Sequence, residues 1–330
     1  MLSGLWRLRL PLPFPGVPHC NAWAMASGSG VVLVDTGMHE SGSMAQLERA
    51  MEQVGLRVEL VRLIVITHAH PDHWGQAEPI RARAGCEMWM HPRHEHATRP
   101  AEDPVLAQAR RLEIGRQSGI PWSVLERYAE HARDRPSGIA SVIEPDRDLV
   151  DGTSIETDLG LWSVVETPGH APSHVCLFQP ERRLLLSGDH VLGRPSLFYD
   201  YGWTPDPVGE YLSSLSIVDS LGARLGLSGH GKPFVDVHGH VAASRALAAE
   251  RLDAVLGALQ DGGPLTAAEI APGVHGGGTL SEANAAWWLS ETLCYLRHLE
   301  IEGRVAREEA DGERWRLADE ERDRIGDRRA

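Results

Sequence analysis

The stretch Thr67-His68-Ala69-His70-Pro71-Asp72-His73-Trp74-Gly75 constrains this chain more than any other. It follows directly on the apolar run Leu63-Ile64-Val65-Ile66 and places His68, His70, Asp72 and His73 within six positions. Three imidazoles and a carboxylate at a strand end have no packing rationale, because buried polar groups without partners are costly. His68-x-His70 at the end of a strand can direct both rings to one cation, since alternate strand positions share a side. Asp72-His73 then run into a turn and helix and point to a second cation nearby. Both coordination spheres remain incomplete, so more ligands are expected downstream.

Three later segments repeat one device: an apolar strand, small residues, then a ligand. Thr167-Pro168-Gly169-His170 ends the run Trp162–Glu166, and Ser187-Gly188-Asp189-His190 follows Leu184-Leu185-Leu186. Leu227-Ser228-Gly229-His230-Gly231 follows Arg224–Leu227. The glycines let the backbone turn tightly and come close to a cation. His174 and His190 lie beside these ligands and are candidates to support them.

The set HxHxDH, TPGH, SGDH and SGHG, in this order, resembles the metallo-β-lactamase-fold hydrolases, over about residues 5–260. The wording TPGHAPSHVCL and LLSGDHVLG, with the carboxy-terminal region, is similar to the lactamase-beta-like-2 group. The resemblance implies an αβ/βα four-layer sandwich, an α/β fold with its metals at one edge. It implies that His68, His70 and His170 hold a first metal, that Asp72, His73 and His230 hold a second, and that Asp189 bridges the two. Asp35, in Val34-Asp35-Thr36-Gly37, matches the family's aspartate that steadies the ligand histidines. Nitrogen and oxygen donors without a thiolate make two zinc ions the expected cofactor, with iron or manganese also chemically acceptable.

Two such ions roughly 3.5–4 Å apart would bring a shared water to hydroxide near neutral pH. Asp72 and Asp189 are then the catalytic carboxylates, Asp189 fixing the metal spacing and able to take up a proton. Dedicated β-lactamases of this superfamily generally lack an aspartate at the bridging position, so Asp189 points toward its glyoxalase-II, lactonase and ribonuclease members. The expected reaction is hydrolysis of a small ester, thioester or lactone. The rivals are a ribonuclease or phosphodiesterase, a one-iron oxygenase, and a regulator that binds metal without turnover. Tyr199 and Tyr201 follow the Asp189 segment, where some lactonases use a tyrosine on the substrate carbonyl; loop packing is the alternative.

Charge bears on the choice. The 330 residues carry a formal charge of −14, which repels phosphate backbones and makes nucleic acid a poor partner. A small molecule is the expected partner. The four cysteines, Cys20, Cys86, Cys176 and Cys294, are widely spaced and read as reduced thiols of a cytoplasmic protein. The opening MLSGLWRLRLPLPFPG alternates Leu and Trp with Arg and lacks a signal-peptide run, and no segment is long enough to span a bilayer.

Apolar runs bounded by turn residues predict strands at Trp6–Leu10, Ala22–Ala26, Val31–Val34, Leu63–Ile66 and Glu87–Met90, with helices at Ser43–Val54 and Gln76–Ala84. Further strands are expected at His174–Phe178 and Arg224–Leu227, and helices near Pro207–Ser220 and Val241–Leu259. Residues 1–260 read as the catalytic domain, with a helical insert near 93–135 that is either a lid or a packed helical pair. Residues 264–330 read as a winged-helix-like domain: helices, then a hairpin turning at Asp311-Gly312. That segment has nine Arg and no Lys against fourteen Asp plus Glu, a net of −5, so packing or homodimerisation suits it better than DNA binding. His91, His94 and His96 lack a carboxylate or cysteine at suitable spacing and read as surface or capping residues.

Overall fold

The structure, a computed structural model, describes residues 2–14, 16–132, 136–260, 263–281, 284–310 and 312–329. The chain begins with β1 (Leu5–Phe14), β2 (Val17–Ser27), β3 (Gly30–Val34), α1 (Ser43–Glu52), β4 (Val61–Val65), the single turn α2 (Pro71–Trp74), α3 (Ala77–Ala84), β5 (Glu87–Met90) and α4 (Glu95–Glu102). It continues through α5 (Pro104–Gln117), α6 (Trp122–Ala132), β6 (Arg147–Asp148), β7 (Ser154–Thr157), β8 (Gly160–Glu166), β9 (Val175–Gln179) and β10 (Leu184–Gly188). The remainder comprises α7 (Pro207–Ser220), β11 (Leu225–Ser228), β12 (Phe234–Val235), α8 (Val237–Ala258), α9 (Ala267–Val274), α10 (Ala285–Ile301), β13 (Val305–Ala310), β14 (Gly312–Leu317) and α11 (Asp319–Arg329).

Two six-stranded sheets result, in the orders β1-β2-β3-β4-β5-β6 and β12-β11-β10-β9-β8-β7. The first is antiparallel from β1 to β3 and parallel from β3 to β6. In the second, only β10 and β11 run parallel. β3 shows why its sequence is an unbroken apolar run. Val32 and Val34 face the second sheet and pack with Trp23, Met25, Trp162, Leu177, Leu186 and Leu227. Val31 and Leu33 face the other way, onto Leu47 and Met51 of α1 and Ile80 of α3. Both faces are covered, so alternation disappears. This is the α/β sandwich with helices outside two sheets, and the parallel strands end at one edge where loops can carry ligands.

The chain divides into two compact units of discontinuous segments. The first contains Met1–Glu102, Pro136–Ser196 and Tyr211–Ala243, and therefore both sheets. The second contains Asp103–Arg135, Leu197–Glu210 and Ser244–Ala330. Within it α5 and α6 pack together and α5 also meets β14. Leu125 of α6 fills the space beside Gly115 of α5, where a Cβ would come within 2.6 Å of it. Thr266 caps α9 reciprocally with Glu269, and Leu265 bridges to the fully buried Trp315 of β14. Asp311 of the expected hairpin turn lies outside the described residues, as do 133–135 of the insert. Among the described residues no helix is long and apolar enough to cross a membrane.

Candidate metal centre

The expected ligands belong to the first unit, and the structure brings all seven together. β4 stops at Val65, so His68 and His70 leave from a loop. The expectation that strand alternation aims both rings is therefore corrected. Hydrogen bonds shape this loop instead. Thr67 donates its backbone N–H to Asp35 Oδ1 at 2.8 Å and its hydroxyl to Asp35 Oδ2 at 2.9 Å. The Ala69 N–H, between the two histidines, donates to Ser173 Oγ at 3.0 Å. Pro71 then opens the turn α2, which carries Asp72 and His73.

Asp35 lies at φ 62, a left-handed backbone that an aspartate tolerates better than most side chains. From there Oδ2 also accepts the Nδ1–H of His73 at 2.8 Å, which leaves His73 Nε2 aimed inward. His230, just past β11, is held likewise: its Nδ1–H donates to the His19 carbonyl at 3.0 Å. Gly229 precedes it because a Cβ there would lie 2.3 Å from Asp189 Oδ1. Asp189 follows β10, and its backbone N–H donates to His174 Nε2 at 3.1 Å. His174 in turn meets the Thr167 hydroxyl through Nδ1 at 2.8 Å, so the proton belongs on Nδ1. His170 Nε2 lies 3.1 Å from His70 Nδ1.

Asp189 Oδ2 lies 3.0 Å from His230 Nε2, 3.6 Å from His73 Nε2 and 3.9 Å from His170 Nε2. His230 Nε2 and His73 Nε2 lie 3.3 and 3.6 Å from Asp72 Oδ2. Ligand atoms thus gather in overlapping trios, His68-His70-His170, His68-His73-Asp189 and Asp72-His73-His230. The fit to cations is tested by atoms left over. His68 Nε2, His73 Nε2 and Asp189 Oδ1 are buried without a hydrogen-bond partner. Orphaned buried donors and acceptors are costly unless something else satisfies them, and divalent cations with nitrogen and oxygen ligands would do so.

Charge is concentrated here. Burial works against the carboxylate of Asp72, yet the His73 and His230 rings hold it down at about 2. Asp189, also opposed by burial, is kept well below the usual carboxylate range by His230 and His73. Burial disfavours protonated His230, but Asp189 and Asp72 raise it to about 10. Burial and then the neighbouring rings push His68 well below an ordinary histidine. On the outer side, partial burial, Arg9 and Arg7 lower His19.

The family profile described as the metallo-beta-lactamase superfamily matches residues 15–230, which contain every one of these ligands. The chain belongs to that superfamily. This metallo-beta-lactamase superfamily member is 29% identical over 161 residues to a probable metallo-hydrolase of Bacillus subtilis, covering 49% of this chain and 55% of that protein. It is 30% identical over 144 residues to an atrochrysone carboxyl ACP thioesterase of Aspergillus chevalieri, covering 40% of this chain and 44% of that one. The chain thus spans about half the length of these curated relatives. The crystal structure of a metallo-beta-lactamase family protein from Thermus thermophilus superposes with a TM-score of 0.81 at 28% identity, covering 96% of this chain and 99% of that one.

In this superfamily member His190 is buried, its ring 4.8 Å from Tyr211 and 5.8 Å from His174. Tyr199 and Tyr201 belong to the second unit. Tyr199 is fully buried with its ring 5.7 Å from Tyr295, and the Tyr201 hydroxyl accepts from Arg297 at 3.4 Å. His91 and His96, expected as surface or capping residues, do not lie on the surface. His91 is buried, accepts the Arg93 N–H at Nδ1 and binds Glu166 through Nε2 at 2.6 Å, tying β5 to β8. His96 is buried too, with Nε2 2.7 Å from Ser173 Oγ and its ring 5.6 Å from His70. Sequence reasoning missed Ser173, Thr67, Thr167 and His19. Only the first three had a signal, their place beside ligands in the same motifs; His19 acts through its carbonyl, which no residue type reveals.

Proposed function

We propose that this chain is a dinuclear metal-dependent hydrolase of a small ester, thioester or lactone. The carrying observation is Asp189 Oδ2, within 4 Å of nitrogens from both histidine sets while Oδ1 has no hydrogen-bond partner. His68, His70 and His170 would hold one cation and Asp72, His73 and His230 the other, with Asp189 between them. Zinc is the first choice for this donor set. Bound there, the pair of ions would acidify water toward neutrality and polarise a substrate carbonyl.

The chain's own residues do the rest. Asp35 keeps the proton of His73 on Nδ1, so Nε2 stays a lone-pair donor. His174 holds the Asp189 backbone, which fixes the point from which the carboxylate extends. Asp72 and Asp189 are the carboxylates placed to receive a proton from the attacking water and return it to the leaving oxygen or sulfur. The similarity to a thioesterase supports thioesters within this substrate class. An activity panel of esters, thioesters, lactones, phosphodiesters and β-lactams tests the reading, using zinc-loaded protein with His68→Ala as blank. Turnover of an acyl substrate with about two zinc per chain is expected. Phosphodiester cleavage alone, or one tightly held iron, would defeat it.

A further inference from the structure

The arginine alternation at the start of the chain finds a use beside the metal centre. In β1, Leu8 and Leu10 pack onto the outer helices, whereas Leu5 faces the second sheet. Arg7 and Arg9 share the parity of Leu5, so both guanidiniums leave the strand on the inner side. Across the ladder they pair with Trp23 and Asn21, and Pro11 pairs with His19. This row lies against the loop that carries His230. Arg7 Nη1 donates to the Gly231 carbonyl at 3.2 Å, and the Asn21 amide donates to Ser228 and Gly231 carbonyls at 2.9 and 3.0 Å. Arg9 Nη2 approaches His19 Nδ1 at 3.5 Å, and the His19 carbonyl holds His230.

Neither guanidinium has a carboxylate within ion-pair distance among the described residues. Arg9 is exposed, Arg7 is half-buried, and His19 Nε2 is buried without a hydrogen-bond partner. Two adjacent like charges on one strand face repel each other, which a negatively charged ligand relieves. In a chain of net charge −14 such a pair next to a ligand histidine needs a reason.

We propose that Arg7 and Arg9 form an anion-recognition edge of the metal centre, selecting small esters or thioesters whose tail bears a carboxylate or phosphate. The proposal rests on the hydrolase reading for its chemistry, but the anion site is measurable without turnover. Arg7, tied to Gly231, orients the edge; Arg9, with no backbone contact, supplies the free fork. Two arginines make a point contact and not a track, so the surrounding acidity favours a small anion over RNA.

The p-nitrophenyl half-ester of succinic acid and its methyl ester, offered to the zinc-loaded full chain, provide the kinetic test. The wild type should prefer the free acid in kcat/KM. Arg9→Glu should cut that preference by about tenfold or more, chiefly through KM, and Arg9→Lys should keep most of it. An unchanged preference in Arg9→Glu overturns the proposal. Independently, calorimetric titration of the metal-free full chain with succinate or inorganic phosphate should show binding that Arg9→Glu weakens by a similar factor. Equal binding by both proteins overturns it, even if no ester is ever turned over. The tighter of the two anions identifies the tail. Zinc-dependent cleavage of a single-stranded RNA that Arg9→Glu abolishes would replace it with a nuclease.

Discussion

Asp35 concentrates the logic of the centre in one residue. Its two oxygens accept three hydrogen bonds, two from Thr67 and one from His73, so a single carboxylate sets the loop before the HxH pair and the ring that follows it. The left-handed backbone at φ 62 places that carboxylate, and asparagine tolerates the same conformation. Asp35→Asn therefore removes the charge while keeping shape and backbone preference. The amide can no longer accept from both Thr67 Oγ1 and His73 Nδ1 through an anionic oxygen, and His73 loses the partner that fixes its tautomer. Zinc affinity should fall by about 10–100-fold, with circular dichroism unaltered. Competition with a colorimetric chelator reads this directly; wild-type affinity in Asp35→Asn would show that His73 needs no such anchor.

At the scale of elements, α10 makes a separate statement about pH. Burial raises Glu291 to about 7, against the hydroxyl of Tyr295, which donates to it at 2.6 Å, and against Arg251 and Trp287. His275 faces the same carboxylate at 3.9 Å and stacks on Trp288; burial and then Arg251 lower it to about 4. The signs oppose. Glu291 keeps its proton in the fold, so its contribution is present below pH 4.5 and is lost as pH rises toward 7. His275 stays neutral in the fold, so its contribution is present above pH 6.5 and is lost as pH falls toward 4. Between these limits the slopes cancel. Glu291→Gln removes one of them, so the stability of the variant relative to wild type should rise from pH 4.5 to 6.5 by about 1.4 kcal/mol per unit. Denaturant midpoints of both proteins followed by tryptophan fluorescence test this; a pH-independent difference between them would refute it. The sequence predicted helices in this region but not this pair, because residues 16 positions apart share no periodicity. Continuous apolar runs likewise marked β3 and β10 nearly to their ends, since strands covered on both faces are apolar throughout, while β4 and β5 were marked despite the exposed Arg62 and Glu87. The two-residue strands β6 and β12 were illegible, being too short to carry a period. The seven expected ligands were legible because four crowd into six positions after one apolar run and the other three each follow a strand end and a glycine or serine-glycine turn. Of the hydrogen bonds that aim them, the one from His73 to Asp35, just past β3, was expected from the resemblance, whereas the one from His230 to the His19 carbonyl of β2 was not, since a backbone carbonyl leaves no mark in the sequence.

For the molecule as a whole, the candidate metal centre would also be a staple. Its expected ligands come from loops at positions 68–73, 170, 189 and 230, from both sheets of the first unit. Without cations, opposed partial charges and orphaned atoms such as His68 Nε2 must be accommodated at the open edge of the sandwich. A ligand that binds only the folded state adds stability as the logarithm of its excess over Kd, about 2.7 kcal/mol at a hundredfold excess. For a domain of this size that corresponds to a melting shift of roughly 5–10 °C. Removing the metal from the zinc-loaded full chain with a chelator should lower the melting temperature by this amount, and returning zinc should restore it. His68→Ala lacks a member of both the His68-His70-His170 and the His68-His73-Asp189 trio and should respond far less to the same treatment. A zinc-loaded wild type that melts identically with and without chelator, while releasing the added metal, would mean that the fold holds these loops in place unaided. The cations would then serve chemistry alone, and Asp35, His174 and the His19 carbonyl would carry the whole burden of keeping the site open.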